Sequence, residues 1–429
     1  MEPHRLSQLA VPLERLLLIL YILLGPCVWA AFGWAVILGR RKMLLMVRPP
    51  HPITVSPLPT VTIFIPAKDE GERIRACLRS VLEQDYPNLR IVAIDDRSSD
   101  RTGAVMDEMA VADPRLEVLH ITQPPEPGWT GKNNALFTAA KDAPGDWLLF
   151  VDSDVVLEKD ALSVGMSVVL RKQFDLLSLL PRLESHGVWE SLLVPLAGSA
   201  ASALYLVALT NSGSYKGLPF ANGQFLLISR GAYDAIGGHA TVRDRFCEDV
   251  EMACLLKARG MRPRVSWGID FAAVRMYDSL GNIVRGWSRI FYAARVGSPR
   301  LPLVGIAFLL LCCFSGYAAL AWGLVRLIEP DGPAAFYYAF YWTVTSIIHL
   351  GLLTWFVGLM YAWCGNPRRN ALLFPLGGSL LMVIFLRAIK LCITKKVEWR
   401  GTAYSHTMAQ DLAAGPPTRA PSLPGGIRQ

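Results

Sequence analysis

Leu148-Leu149-Phe150-Val151-Asp152-Ser153-Asp154 is the stretch whose reading decides the fold. Four apolar residues end in a carboxylate, a small residue and a second carboxylate. A short unbroken apolar run is what a parallel strand needs when both of its faces are covered. The two Asp residues then fall at the strand's carboxyl end, the edge where open α/β sheets place their ligands. Carboxylates one residue apart at such a tip suit a hard divalent cation that also holds phosphates. Asp and Ser also make ordinary turns, so the surrounding sequence must decide between a turn and a site.

Upstream, Val61 to Pro66 reads as a strand. Ile74 to Leu82 reads as a helix with Ile74, Leu78, Val81 and Leu82 on one face. Ile91 to Ile94 is a second strand ending at Asp95-Asp96. A helix over 102–111, a strand over 116–119 and a helix over 131–142 complete the approach to the opening stretch. Strand and helix in alternation predict an α/β fold, a doubly wound and mostly parallel sheet. Downstream, residues 188–210 are apolar and small. A membrane span there would split the domain between two compartments, so a helix at the membrane surface or in the domain core is preferred. A strand is expected within 220–229. A helix over 247–259 is expected with Val250, Cys254 and Leu255 facing inward.

The flanks differ in character. The 429 residues are 52% hydrophobic and 18% charged, with eight scattered Cys and a net charge of +8; mean hydropathy is +0.33. That balance is too apolar for an ordinary soluble protein and too charged for a pure bundle of spans. The basic excess fits the cytoplasmic side of a membrane and anionic lipid; with no nucleic-acid motif, that partner is set aside. The Cys spacing offers neither a zinc site nor a disulfide framework, which fits a reducing compartment. After a short segment at 1–15, residues 16–38 are long enough for a transmembrane helix. Arg40-Arg41-Lys42 follows and places the next segment in the cytoplasm. Residues 39–60 make a basic, Pro-rich linker. A domain then occupies 61–300, and 301–394 holds two or three spans. Within these, 371–386 is short and basic on both sides, so it reads either as a third span or as an interfacial hairpin. Residues 395–429 form a basic, then disordered, tail.

Four acidic sites fall near strand ends or helix starts: Ala67-Lys68-Asp69-Glu70, Asp95-Asp96, Asp152-Ser153-Asp154 and Glu248-Asp249. Singly, each is an ordinary cap or turn. Gathered on one sheet edge they imply a bound divalent cation, because an acidic cleft repels phosphate unless a metal bridges the two. Gly128-Trp129-Thr130-Gly131-Lys132 adds a Gly-permitted close approach and a Lys at a helix start, suited to phosphate.

At this point the sequence resembles a known family. The run from Val61 to about Gly297 is similar to family 2 glycosyltransferases of the GT-A fold. The carrying residues are Ile65-Pro66-Ala67-Lys68-Asp69-Glu70, Ser80 to Pro87, Asp95 to Asp100, Gly128 to Lys132, Asp152-Ser153-Asp154 and Glu248-Asp249. The flanking helices resemble membrane-anchored members of the hopanoid-associated, ceramide-glucosylating and carotenoid-glycosylating types. The resemblance implies a nucleotide-diphospho-sugar-binding sheet beside transmembrane helices, with Pro66, Ala67, Glu70, Asp95 and Asp96 holding the nucleoside. It implies Asp152 and Asp154 on Mg or Mn, with Lys132 near the phosphates and Asp249 as general base beside Glu248. The implied reaction is inverting transfer from a nucleotide sugar, a UDP-sugar, to a lipid or polyprenyl-type acceptor. Its setting would be the cytoplasmic face of the cell's inner membrane, with a multi-pass chain. One element departs from the pattern: Arg285-Gly286-Trp287-Ser288-Arg289 stands where relatives often carry Q-x-x-R-W. Trp287 and Arg289 are expected to contact acceptor or phosphate, or to lie on an interfacial helix. The alternatives are a nucleotidyltransferase of similar fold and a non-catalytic nucleotide-binding membrane protein.

Overall fold

The computed structural model describes residues 3–43, 45–48, 50, 51, 53–71, 73–204, 207, 210, 211, 219–293, 298–328, 330, 332–394, 397–399 and 402–404. Helices α1 (Pro3–Leu24) and α2 (Pro26–Met43) follow one another with only Gly25 between them. Pro26 cannot donate to the preceding turn, which accounts for the one-residue interruption; Pro12–Gly39 remains a single stretch long and apolar enough to cross a membrane, as the sequence predicts for 16–38. The segment after α2 is tied down: Leu45 and Met46 amides donate to Ser266 Oγ at 3.2 and 3.3 Å. Pro49 and Pro52 of the linker lie outside the described residues.

The expected alternation follows as β1 (Val61–Ala67), α3 (Ile74–Leu82), β2 (Leu89–Asp96), α4 (Thr102–Ala112), β3 (Leu116–Ile121), α5 (Gly131–Ala140) and β4 (Trp147–Phe150). Next come β5 (Val155–Leu157), α6 (Ala161–Lys172), β6 (Leu176–Leu180), β7 (Arg182–Leu183) and α7 (Val188–Leu204). Then follow β8 (Leu226–Ser229), α8 (Arg230–Ala235), α9 (Gly238–Thr241), α10 (Glu248–Ala258), β9 (Pro263–Trp267), β10 (Ala272–Val274) and α11 (Leu280–Ala293). The main sheet has the order β3-β2-β1-β4-β8-β6-β9. Its pairings are parallel except that β8 runs antiparallel to both β4 and β6. Alternate residues of β1, Ile63 and Ile65 against Phe64, enter two different buried clusters, one on each face. That doubly covered geometry is why the central strands read as continuous apolar runs. One expectation fails in detail. The inward residues of α10 are Glu248, Met252, Ala253 and Leu256, whereas Val250, Cys254 and Leu255 are only partly buried.

The rest of the chain is α12 (Arg300–Phe308), a π-helical turn at Leu309–Phe314, α13 (Ser315–Ile328), α14 (Pro333–Trp363), a 3₁₀ turn at Arg368–Leu373 and α15 (Phe374–Thr394). Short strands β11 (Val397–Trp399) and β12 (Thr402–Tyr404) pair at the end of the described residues. Lys395, Lys396, Arg400 and the tail from residue 405 lie outside them. Four helical stretches are long and apolar enough to cross a membrane: Pro12–Gly39, Arg300–Ile328, Pro333–Trp363 and Arg368–Thr394. The last is longer than the 371–386 segment read from sequence, because the 3₁₀ turn and the residues up to Thr394 extend it.

Helices α7 and α11 join the two halves. Leu192, Leu193 and Ala197 of α7 and Ile283 and Phe291 of α11 share a buried cluster with Phe356 and Tyr361 of α14 and Phe385 of α15. Each such side chain contributes roughly 1.5–3 kcal/mol, against at most about 1 kcal/mol for an exposed ion pair such as Arg75–Glu108. Packing holds the sheet over the long helices, with charge added at the start of α7, where Arg275 donates to the buried Glu190 carboxylate at 3.0 and 2.9 Å. A polar knot adds register among those helices. The Cys312 carbonyl in the π turn accepts from His349 Nε2 at 3.0 Å and from Trp29 Nε1. A carbonyl can only accept, so His349 carries its proton on Nε2 and takes the Tyr21 hydroxyl on Nδ1 at 3.0 Å.

Candidate active site

The carboxyl edge of the sheet gathers the acids. Asp152 and Asp154 follow β4, Glu70 follows β1, Asp96 ends β2, and Glu248 and Asp249 open α10. All six line a single cavity of about 790 Å³, and so do Pro66, Ala67, Lys132, Trp287 and Arg289. Asp95 does not. Neighbouring strand residues point to opposite faces, and Asp95 instead accepts the Ser98 amide at 3.2 Å and faces His120 Nδ1 at 3.1 Å.

The start of α5 and the loop before α10 are pinned together, which brings distant acids within reach of one Lys. Thr130 caps α5 by accepting the Asn133 amide at 3.2 Å. The Asn133 side-chain amide donates to the carbonyls of Val242 at 2.7 Å and Arg245 at 2.9 Å. Lys132 Nζ consequently lies 2.7 Å from Asp152 Oδ1 and 2.7 Å from Glu248 Oε1. Burial opposes its charge, but the attraction of Asp152 and Glu248 outweighs that and holds the ammonium well above its ordinary pKa. Asp249 is oriented by two backbone amides, Gly223 at 2.6 Å and Val250 at 2.7 Å. Burial, reinforced by the like charge of Glu248, pushes its carboxyl up to about 7 against the pull of Lys132.

Asp154 is also pushed up to about 7, by burial first and then by the charges of Asp152 and Glu70, with Arg73 opposing. Asp152 and Asp154 offer hard oxygen donors here, the chemistry that suits Mg²⁺ or Mn²⁺. Among the described residues no three His, Cys, Asp or Glu side chains are arranged to hold a metal by themselves. Asp152 and Asp154 could hold one together with substrate phosphates, the usual cradle for Mg²⁺. Asp96 is buried and paired with Arg97 through two contacts of 2.7 and 3.0 Å. A Cβ on Gly131 would lie 2.8 Å from Asp96 Oδ2, so the glycine lets the α5 terminus close over this carboxylate.

Two residues escaped the sequence reading. Arg73 lines the cavity and opposes the charge on Asp154; a lone Arg in a loop carries no signal. Tyr277 lines it too, hydrogen-bonded to Arg289 and pushed up to about 12 by burial. Here a signal existed: Gly286 sits inside a helix, and a Cβ there would lie 2.1 Å from the Tyr277 ring. Trp287 is 5% exposed, and its indole N–H has no partner among the described residues. Beyond Trp287 the cavity turns apolar, walled by Phe32 and Val36 of α2, Ala201 of α7 and Phe356, Met360 and Trp363 of α14.

Residues 59–266 match the family model described as Glycosyltransferase like family 2. The chain carries a family 2 glycosyltransferase domain. The 4,4'-diaponeurosporenoate glycosyltransferase of Staphylococcus haemolyticus (strain JCSC1435) is 26% identical over 270 residues, 60% of this chain and 69% of the relative. The protein of the same name from Staphylococcus aureus (strain MRSA252) is 25% identical over 232 residues, 53% of this chain and 60% of the relative. Among solved structures, a mannosyltransferase from Pyrobaculum calidifontis in complex with GDP-Man and Mn²⁺ aligns with TM-score 0.47 and 17% identity, covering 88% of this chain and all of that one. Glucosyl-3-phosphoglycerate synthase from Mycobacterium tuberculosis aligns with TM-score 0.36 and 18% identity, covering 55% of this chain and 78% of that one. The glycosyltransferase domain as matched ends within β9, so Tyr277, Trp287 and Arg289 lie beyond it.

Proposed function

We propose that the protein is an inverting, divalent-cation-dependent glycosyltransferase. It moves a sugar from a nucleoside diphosphate sugar, a UDP-sugar, to a lipid or polyprenyl-type acceptor at the cytoplasmic face of the cell membrane. The observation that carries this reading is one cavity with two ends. The acids and Lys132 line one end; α2, part of the apolar stretch Pro12–Gly39, and α14 wall the other, and both stretches are long enough to span a bilayer. Relatives named for glycosylating diaponeurosporenoate support an elongated apolar acceptor.

In this reading Pro66, Ala67, Glu70 and Asp96 hold the nucleoside, and Asp95 braces the turn behind them through Ser98. Asp152 and Asp154 hold the cation, which when bound offsets the charge of the departing diphosphate. Lys132, at a helix start, adds its ammonium on the phosphate side. Asp249 takes the proton of the acceptor hydroxyl as that oxygen bonds to the anomeric carbon, and the bond to the diphosphate breaks with its electron pair leaving on phosphate. One base and no covalent partner give inversion.

The test is transfer of radiolabelled sugar from UDP-sugars into an organic-phase lipid by the purified full chain, followed by NMR of the product's anomeric centre. Expected are lipid-borne label and an inverted centre. Asp249→Asn should cut transfer by about 10²–10⁴-fold while nucleotide binding stays within a few-fold. A retained configuration, or nucleotide appearing on the acceptor, would overturn the proposal.

A further inference from the structure

The outer face of α14 carries a second concavity that the reaction does not use. Phe356, Met360 and Trp363 face the active-site cavity. Leu350, Gly351, Thr354, Trp355 and Gly358 are turned to the opposite side of the same helix and line a groove of about 630 Å³. Its floor is open where two residues lack side chains: a Cβ at Gly351 would meet nothing within 4 Å, and one at Gly358 would touch the Arg368 carbonyl oxygen at 3.5 Å, the Arg368 Cβ at 3.6 Å and the Ala371 Cβ at 3.9 Å, all ordinary contacts. Trp355 and Leu372 form rims that are 50% and 72% exposed. Arg368 and Arg369 close one end, exposed and without a carboxylate partner among the described residues.

The depth of that end is fixed by neighbouring contacts. The Tyr361 hydroxyl donates to the Leu192 carbonyl at 2.6 Å and the Asn370 side chain to the Ser191 carbonyl at 3.4 Å. The two arginines therefore sit at the level of α7, on the glycosyltransferase-domain side, where a spanning α14 leaves the hydrocarbon. From Leu350 to Gly358 the groove follows about 12 Å of helix, close to one leaflet's hydrocarbon depth of about 15 Å. An occupant must combine an apolar chain of that reach with an anionic head at the boundary.

We propose that this groove binds an anionic glycerophospholipid, one acyl chain lying over Gly351 and Gly358 and the headgroup phosphate on Arg368 and Arg369. Basic pockets beside spanning helices recognise lipid headgroups in this way, and arginine's planar fork matches phosphate oxygens. A zwitterionic lipid also presents a phosphate, but its own ammonium offsets that charge and leaves the two guanidinium charges uncompensated. The site stands apart from the reaction proposed above and does not depend on it.

The test is native mass spectrometry of the full chain in detergent, titrated with phosphatidylglycerol or phosphatidylcholine. The wild type should bind phosphatidylglycerol saturably and in preference to phosphatidylcholine. Arg368→Gln with Arg369→Gln should weaken phosphatidylglycerol about 30-fold, at roughly a kilocalorie per mole for each arginine, and weaken phosphatidylcholine far less, so that the preference is lost. Gly351→Leu, which has room for its side chain, should weaken phosphatidylglycerol about tenfold with both arginines in place. Equal binding of the two lipids, or unchanged affinity in either variant, would overturn the site. So would competition by inorganic phosphate at the same concentration, which marks a free-anion site. A concentration-dependent dimer abolished by Gly351→Leu would assign the groove to a second copy instead.

Discussion

In the proposed reaction Asp249 would meet two conflicting demands: a base must give up its proton, and burial beside Glu248 makes it hold on. With the carboxyl pushed up to about 7, the active, ionised fraction grows as pH climbs through that value. We expect kcat/KM to rise across pH 6–8 and then level, checked by steady-state assays at saturating cation; a flat profile would assign proton removal elsewhere. Stability moves the other way. Between the ordinary 3.8 and about 7 the folded carboxyl keeps a proton that the unfolded chain has lost, so stability falls as pH rises through that window. Asp249→Asn should therefore melt above the wild type at pH 8, with the gap closing toward pH 4. Lys132 is the converse case. Lys132→Met would strand Asp152 and Glu248, and we expect a loss of roughly 2–3 kcal/mol by denaturant titration in detergent. The residue types at these positions were legible in the sequence, as paired acids at strand ends and a Lys at a helix start. That Lys132 would bridge Asp152 to Glu248 was not, because the bridge depends on Asn133 pinning a loop more than a hundred residues away.

At the scale of elements, α11 is held to its site by the absence of a side chain. Gly286→Ala would drive a methyl group into the Tyr277 ring, and overpacking of this kind costs about 1–3 kcal/mol. Tyr277 would turn away from Arg289. The expected result is a lower melting temperature and weakened turnover; adding Tyr277→Leu should restore the melting temperature but not the turnover, because the contact with Arg289 is lost either way. An additive double variant would remove the steric account. The first half of the fold was readable because parallel strands and amphipathic helices each keep a clean period: Ile74, Leu78 and Val81 repeat as a helix face should, and the α3 bounds agree with the expectation. From β5 to β10 that regularity fails. Strands of two to five residues, one antiparallel insertion at β8 and helices as short as α9 leave too few residues for a period to emerge. Helix α10 was found but rotated, since its buried face opens on Glu248, an ion-pair partner of Lys132 that no apolar period can mark.

For the whole molecule, the membrane flanks announced themselves by composition, while the junction between the halves did not. Helix α7 is as apolar as a span, yet it packs with α11 against α14 and α15. Only tertiary contacts separate those two outcomes. The chamber made by that junction should set acceptor choice. Val36→Trp on α2 would narrow it, and we expect acceptor KM to rise about tenfold with donor KM unchanged, measured by varying each substrate separately. Equal shifts in both would mean that the chamber does not select the acceptor. Its walls have a kinetic consequence as well. On the proposed function an acceptor that reaches Asp249 between α2 and α14 would arrive from hydrocarbon, and the quantity sensed would be mole fraction within the bilayer or micelle, not molarity in the tube. Adding inert detergent at constant total acceptor should slow the reaction, while adding buffer should not. The search for substrate would then take place in a plane, with product leaving by the same lateral route and not through water.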